Sequence, residues 1–221
     1  MLYECVGGRE GQGHVLKLYD FLGSGNGYKC RLLLSQMERP FQLILQDILK
    51  GETRTPEFLA INPNGRIPVL ELEDGRRLSE SGAILFYLAE GTAFLPDDAY
   101  GRAEALQWIF FEQYSHEPAT AVARFWRHFL IDQVAGDLHM ERALDEKMEK
   151  GYQALDVMEN RLQGRDFLAA ERYTIADIAL YAYTHVADEG GFDLGPYPRI
   201  RGWLDRVADQ PNHVLITQSE F

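Results

Sequence analysis

The chain has 221 residues, 46% of them hydrophobic and 25% charged, a composition that excludes disordered, collagen-like and low-complexity classes and predicts two modest domains. Its 22 Lys and Arg stand against 34 Asp and Glu, a net charge of −12; this disfavours nucleic acid and anionic membrane partners while leaving room for a small cationic pocket. Two cysteines, Cys5 and Cys30, are too few for a disulfide framework or a four-thiolate zinc site, and a reducing cytoplasm is the expected location.

Residues 1–14, rich in glycine and without hydrophobic periodicity, read as a flexible extension, and no secretory leader is expected there. Alternation through Leu16 and Leu18 predicts a strand at 15–20. A glycine-rich loop at 23–27 follows, then a helix at 28–37 and a strand at 41–46. This is a βαβ unit with parallel strands and a right-handed crossover. A short irregular helix after Pro56 and a turn-rich stretch at 62–68 feed a strand at 69–72; Asp74-Gly75 turns the chain into a strand at 76–78, and Ser81 opens a helix ended by Gly91. The order is βαβαββα, assigned to a first domain at 15–92. Apolar runs such as 83–88 are far shorter than the roughly 20 residues a membrane span needs.

Beyond the loop at 92–99 strand signals vanish, predicting an all-helical second domain over 99–221. Ala103, Leu106, Phe110 and Tyr114 share a helical face expected to point inward, Pro118 bends or breaks the run, and Val122, Phe125 and Phe129 continue it. Further helices are expected at 144–162, from Thr174 and from about Arg199. Thr174 and Asp177 have the spacing of a capping box, with Tyr173 and Ile178 at the staple positions. That signal is structural, and Asp177 is given no catalytic part.

Three constellations carry chemistry. Pro68, at the mouth of a strand, suits a cis bond after Ile67 that would turn the Ile67 backbone toward a ligand, as in thioredoxin-like folds; the alternative is a shaped turn. Glu80 and Ser81 begin a helix, where free amides, a hydroxyl and a carboxylate suit an α-amino acid head group; the alternative is simple capping. Ser24 and Asn26 bring a hydroxyl and a carboxamide to a helix start, all donors and no base, which suits holding a thiolate. Lowering a thiol pKa by two units takes about 2.7 kcal/mol, and one hydrogen bond to a charged group supplies roughly 1.5–3 kcal/mol. A glycine-rich turn capped by Ser24 and Asn26 is the alternative there.

In this order (Ser24 after the first strand, Ile67 before Pro68, Glu80 with Ser81, the Thr174 to Asp177 box in a helical domain) the motifs resemble those of cytosolic glutathione S-transferases, over residues 15 to about 210. The resemblance implies a thioredoxin-like first domain, a helical second domain, a homodimer and a role in detoxification. It implies that Ile67 binds the cysteine backbone of glutathione, Glu80 and Ser81 the γ-glutamyl end, Thr53 and Arg66 the glycyl end, and Ser24 the thiolate. Ser24 with Tyr28-Lys29 and Arg31 resembles the serine arrangement of theta and zeta enzymes, although Gly25 and Asn26 replace the Ser and Cys of the zeta pattern. Ser24, Asn26, Gly27 and Lys29 also resemble the Thr-Pro-Asn-Gly-x-Lys run of Nu-class proteins, associated with glutathione-dependent disulfide reduction, in which Asn26 would share the sulfur. Beta and omega classes place a cysteine in this loop; Cys30 falls inside the helix and reads as packed. The acceptor, an electrophilic carbon or a disulfide, is left open.

Two rival readings stand beside this one. Gly23, Gly25 and Gly27 with Asp47 approximate a dinucleotide fingerprint, but the spacing is G-x-G-x-G. The same fold also serves as a non-catalytic binding or regulatory module; the joint presence of Ser24, Ile67, Pro68, Glu80 and Ser81 favours an enzyme. The six histidines show no ligand spacing, so no metal is expected. Phe111 and Tyr114 are expected to line an apolar acceptor pocket.

Overall fold

The computed structural model describes residues 15–221. The extension expected at 1–14, with Cys5 and His14, lies outside the described residues. Strand β1 (Leu16–Asp20) runs parallel to β2 (Phe41–Leu45), with Leu18 opposite Leu43. On its other side β1 pairs antiparallel with β3 (Val69–Glu71), which pairs antiparallel with β4 (Arg77–Ser79), giving the order β2-β1-β3-β4. Helices α1 (Gly25–Gln36) and α3 (Ser81–Ala89) pack together and bury Leu32, Leu33, Ile84 and Leu85 against the leucines of β1 and β3. The short α2 (Pro56–Leu59), capped by Thr55 accepting from the Phe58 amide, puts Phe58 against Tyr19 and Val69. The βαβαββα order is the one the sequence predicts, and the fold is a thioredoxin-like sheet domain followed by helices.

The helical part comprises α4 (Ala99–Phe111), α5 (Glu117–Arg124), α6 (Ile131–Val134), α7 (Leu138–Arg161), α8 (Ile175–Thr184) and α9 (Pro198–Ala208). Two π-turns, Glu112–His116 and Phe125–Phe129, join α4 to α5 and extend α5. Pro118 does not break the run. It occupies the first turn of α5, where its missing N–H costs little. The expected inward face of α4 is also corrected: Ala105, Trp108 and Ile109 are buried, while Phe110 and Tyr114 are 67% and 87% exposed. The helix is apolar on two sides, and the wider turn after Phe111 moves the following residues out of the 3.6-residue register. Among the described residues no helix is long and apolar enough to cross a membrane.

The capping box at Thr174 forms, with Thr174 Oγ1 accepting from the Ala176 amide and Asp177 accepting from the Thr174 amide. Asp177 does more than close a helix. Its buried carboxylate also accepts from the Leu168 amide and the Trp203 indole, tying α8 to α9 and to the loop after α7. Burial pushes its pKa up to about 6, against the pull of these donors. Replacing Asp177 with Ala leaves the Leu168, Thr174 and Trp203 N–H groups unpaired, at about 1–3 kcal/mol each. We expect Asp177→Ala to lose about 3 kcal/mol or more, read from the denaturant midpoint.

Candidate functional site

The loop after β1 is fixed from below. Asp20 ends the strand fully buried and accepts from the Phe21 amide at 2.7 Å and from Arg31 Nε at 2.9 Å. Arg31, equally buried, also donates to the carbonyls of Leu22, Ile216 and Gln218. Burial raises the Asp20 pKa to about 6 although Arg31 pulls it down. Gly27 lies so close to Asp20 that a Cβ there would fall 1.5 Å from the carboxylate oxygen. Ser24 caps α1, its Oγ accepting from the Gly27 amide at 3.4 Å.

Asn26 is held at both ends of its carboxamide. Oδ1 accepts from Lys29 Nζ at 2.7 Å and from Ser81 Oγ at 3.1 Å, while Nδ2 donates to Glu117 Oε1 at 3.3 Å. The Asn26 amide donates to the Tyr183 hydroxyl at 3.2 Å. Lys29 is 1% exposed and pairs at 2.8 Å with Glu112, which is equally buried. Burial raises the Glu112 pKa to about 7, opposed by Lys29. His116, on the same π-turn, is pushed down to about 3 by burial and is neutral.

Ser24, Asn26, Glu117 and Tyr183 form one wall of a cavity of ≈ 490 Å³ between the sheet domain and α5. Of the residues singled out in the sequence, Ser24, Asn26, Thr53, Arg66 and Ile67 line it together. The Ile67-Pro68 bond is cis; Ile67 precedes the ladder, which begins at Val69 opposite Tyr19, and Pro68 is buried behind it. Glu80 and Ser81 do not line it; Ser81 is buried and its hydroxyl donates to Asn26 Oδ1. Glu80 is exposed at the start of α3 with φ +70°, a strained conformation for a residue with a Cβ, which costs on the order of 1–3 kcal/mol and is typical of functional sites.

The structure places Phe111 and Tyr114 elsewhere. They border a separate hollow between the α4–α5 run and α7, with Lys147 and Lys150, because the π-turn directs this segment away from the cleft. Apolar walls of the cleft come from Phe21, Val122, Phe125, Trp126 and Phe129 instead. Sequence reasoning assigned Phe125 and Phe129 to a core stripe; the second π-turn, which starts at Phe125, turns them to the cavity. Arg54 and Arg124, also unassigned, join Arg66 and Glu117 on its lining. Arg124 donates to the Gly23 carbonyl at 2.6 Å and pairs with Glu189 at 2.6 Å. Their partners lie far along the chain, so no local pattern marks them. Asp47, the acidic residue of the dinucleotide rival, caps a single 3₁₀ turn by accepting from the Leu49 and Lys50 amides. Cys30 is fully buried, and burial pushes its thiol pKa up. Among the described residues no group of three or more His, Cys, Asp or Glu could hold a metal ion.

Comparison with known proteins adds family evidence to this geometry. Residues 14–90 match the model "Glutathione S-transferase, N-terminal domain" and residues 114–211 the model "Glutathione S-transferase, C-terminal domain". The disulfide-bond oxidoreductase YfcG of Escherichia coli K12 is 33% identical over 204 residues, covering 89% of this chain and 92% of YfcG. The crystal structure of a glutathione S-transferase from Pseudomonas fluorescens is 51% identical with a TM-score of 0.87, covering 92% of this chain and all of that one. A glutathione transferase from Burkholderia graminis, solved with two glutathione molecules per subunit, is 30% identical with a TM-score of 0.78, covering 90% of this chain and 85% of that one.

Gly25 lets the two halves of the site meet, since a Cβ there would fall 2.5 Å from the Tyr183 ring. Gly25→Ala should cost about 1–3 kcal/mol by overpacking. Thermal denaturation should show part of that loss restored when Tyr183→Leu is added.

Proposed function

The chain belongs to the glutathione S-transferase family, and from that premise we propose that it is a glutathione-dependent transferase whose acceptor is a small disulfide. The observation that carries this reading is the Asn26 carboxamide, held so that Nδ2 lies at the cavity wall beside the Ser24 hydroxyl. Such donors stabilise a thiolate without supplying a nucleophile of their own. Among the described residues the one cysteine, Cys30, is sealed in the core, and in this reading glutathione supplies the reacting sulfur.

In this reading the Ile67 backbone pairs with the cysteinyl residue of glutathione, and the first amides of α3 beside Glu80 and Ser81 receive the γ-glutamyl carboxylate. Thr53 and Arg66 face the glycyl end. The thiolate attacks one sulfur of the disulfide. A mixed disulfide forms and the other sulfur leaves as a thiolate, which takes up a proton. A second glutathione thiolate then attacks the mixed disulfide, releasing the second thiol and glutathione disulfide. Two thiols are oxidised and one disulfide is reduced, so the electrons balance. Two features support this acceptor: a cavity of ≈ 490 Å³, and the Arg54 and Arg66 guanidiniums on its lining for a peptide carboxylate. The name of YfcG and the two peptides bound by the Burkholderia graminis protein point the same way.

We place the homodimer contact on the outer face of α3 and α4, where Ala83, Phe86, Leu106, Ile109 and Phe110 border an apolar hollow of ≈ 370 Å³. A second copy would cover Phe110 there, and Phe110→Glu should shift the protein to monomer in sedimentation velocity. For the chemistry, one purified sample assayed in parallel with hydroxyethyl disulfide and a chloronitrobenzene should turn over the disulfide faster; preference for the chloronitrobenzene would overturn the acceptor assignment. Asn26→Ala should lower kcat for the disulfide by about 10- to 100-fold and Ser24→Ala by about tenfold, with the far-UV spectrum unchanged.

A further inference from the structure

Lys29 lies outside the cleft lining, yet it directly contacts the Asn26 carboxamide that lines it. Its ammonium meets Asn26 Oδ1 at 2.7 Å, Ser81 Oγ at 3.4 Å, Glu112 Oε2 at 2.8 Å and the face of the Tyr183 ring at 5.6 Å from the centroid. Four elements converge on it: α1, α3, the π-turn after α4, and α8. Glu112, His116, Glu117 and Tyr183 are the titratable groups around it from the second domain; His116 is neutral, and burial pushes the Tyr183 hydroxyl pKa up. Glu112 Oε1 is buried with no hydrogen-bond partner, so the pair is not closed by a further donor.

Asn26 Oδ1 has two lone pairs and both are taken, by Lys29 and by Ser81. That occupancy fixes which end of the carboxamide is oxygen and turns Nδ2 the other way. One Nδ2 hydrogen goes to Glu117, leaving the second for the cavity. A positive charge on the carbonyl end also polarises the amide and strengthens its N–H as a donor. We propose that Lys29 is a positioning residue for thiol transfer, which orients Asn26 and relays its own charge through the carboxamide to the glutathione thiolate without entering the cleft. The inference rests on the proposed role of Asn26. The Lys29–Glu112 pair then gives the fold a reason to keep two charges in its core, where well-packed apolar residues are often as stable or more so.

The test compares three proteins by the pH dependence of thiolate absorption from bound glutathione. The first is the unmodified chain and the second is Asn26→Ala. The third is Lys29→Gln/Glu112→Gln, which removes both charges and keeps hydrogen-bonding groups in place; Lys29→Met/Glu112→Leu replaces it if that protein does not fold. We expect the neutral-pair variant to keep its melting temperature within a few degrees and its glutathione KM within about threefold. Its bound thiol pKa should rise by about one unit, and kcat near neutral pH should fall about tenfold, as in Asn26→Ala. If Asn26→Ala raises the thiol pKa while the neutral-pair variant keeps the original value, the relay is wrong and the role of Asn26 stands. If Asn26→Ala itself leaves the thiol pKa unchanged, the underlying reading fails and the relay falls with it.

Discussion

The buried pair of Asp20 and Arg31 is the constraint on which the site depends. A strand end, a loop and the carboxyl-terminal segment all converge on it, since Arg31 also binds the carbonyls of Leu22, Ile216 and Gln218. Both charges are sealed from water, so removing one would strand the other at a cost of about 3–5 kcal/mol. Two residues back along α1, Lys29 points in a different direction, because positions i and i+2 of a helix do not share a face. One cation therefore anchors the loop to the strand end and to the carboxyl-terminal segment, and the other meets the π-turn after α4. Between them the first turn of α1, with Ser24 and Asn26, has little freedom left.

The cleft belongs to neither domain alone. Its floor comes from the β1 loop and the segment before β3, and its roof from α5, the π-turn after it and Tyr183 on α8. Contacts across the join are polar and short: Arg124 to the Gly23 carbonyl, Asn26 to Glu117, and the Asn26 amide to Tyr183. Asp177 contributes at a distance, since the box that starts α8 sets the helix on which Tyr183 rides. Pre-organisation of this kind stabilises a developing charge with little rearrangement.

The parts of this architecture that were legible in the sequence are those written locally. Alternation gave the strands to within a residue or two, the Asp74-Gly75 pair marked the hairpin, and Thr174 with Asp177 announced α8. Ser24, Asn26 and Ile67 were readable from donors and a proline at element ends, while Thr53 and Arg66 came only with the family resemblance; that the five line one cavity is tertiary information. The acceptor wall was not readable, because the π-turns at Glu112 and Phe125 break the period on which any face assignment rests. Phe111 and Tyr114 were chosen from a helix apolar on two sides, and periodicity cannot say which side faces solvent. Arg124, Glu117 and Tyr183 owe their roles to partners in the other domain, and so does the pairing of Lys29 with Glu112. Such tertiary pairings leave no mark on spacing.

Sealing Cys30 inside α1 has a consequence for durability. Its thiol is fully buried, and its raised pKa keeps it from ionising. Alkylating agents and peroxides attack accessible thiolates, so this position is shielded from them. Within residues 15–221 an oxidative burst would therefore leave Cys30 unmodified as long as the fold stays closed around it.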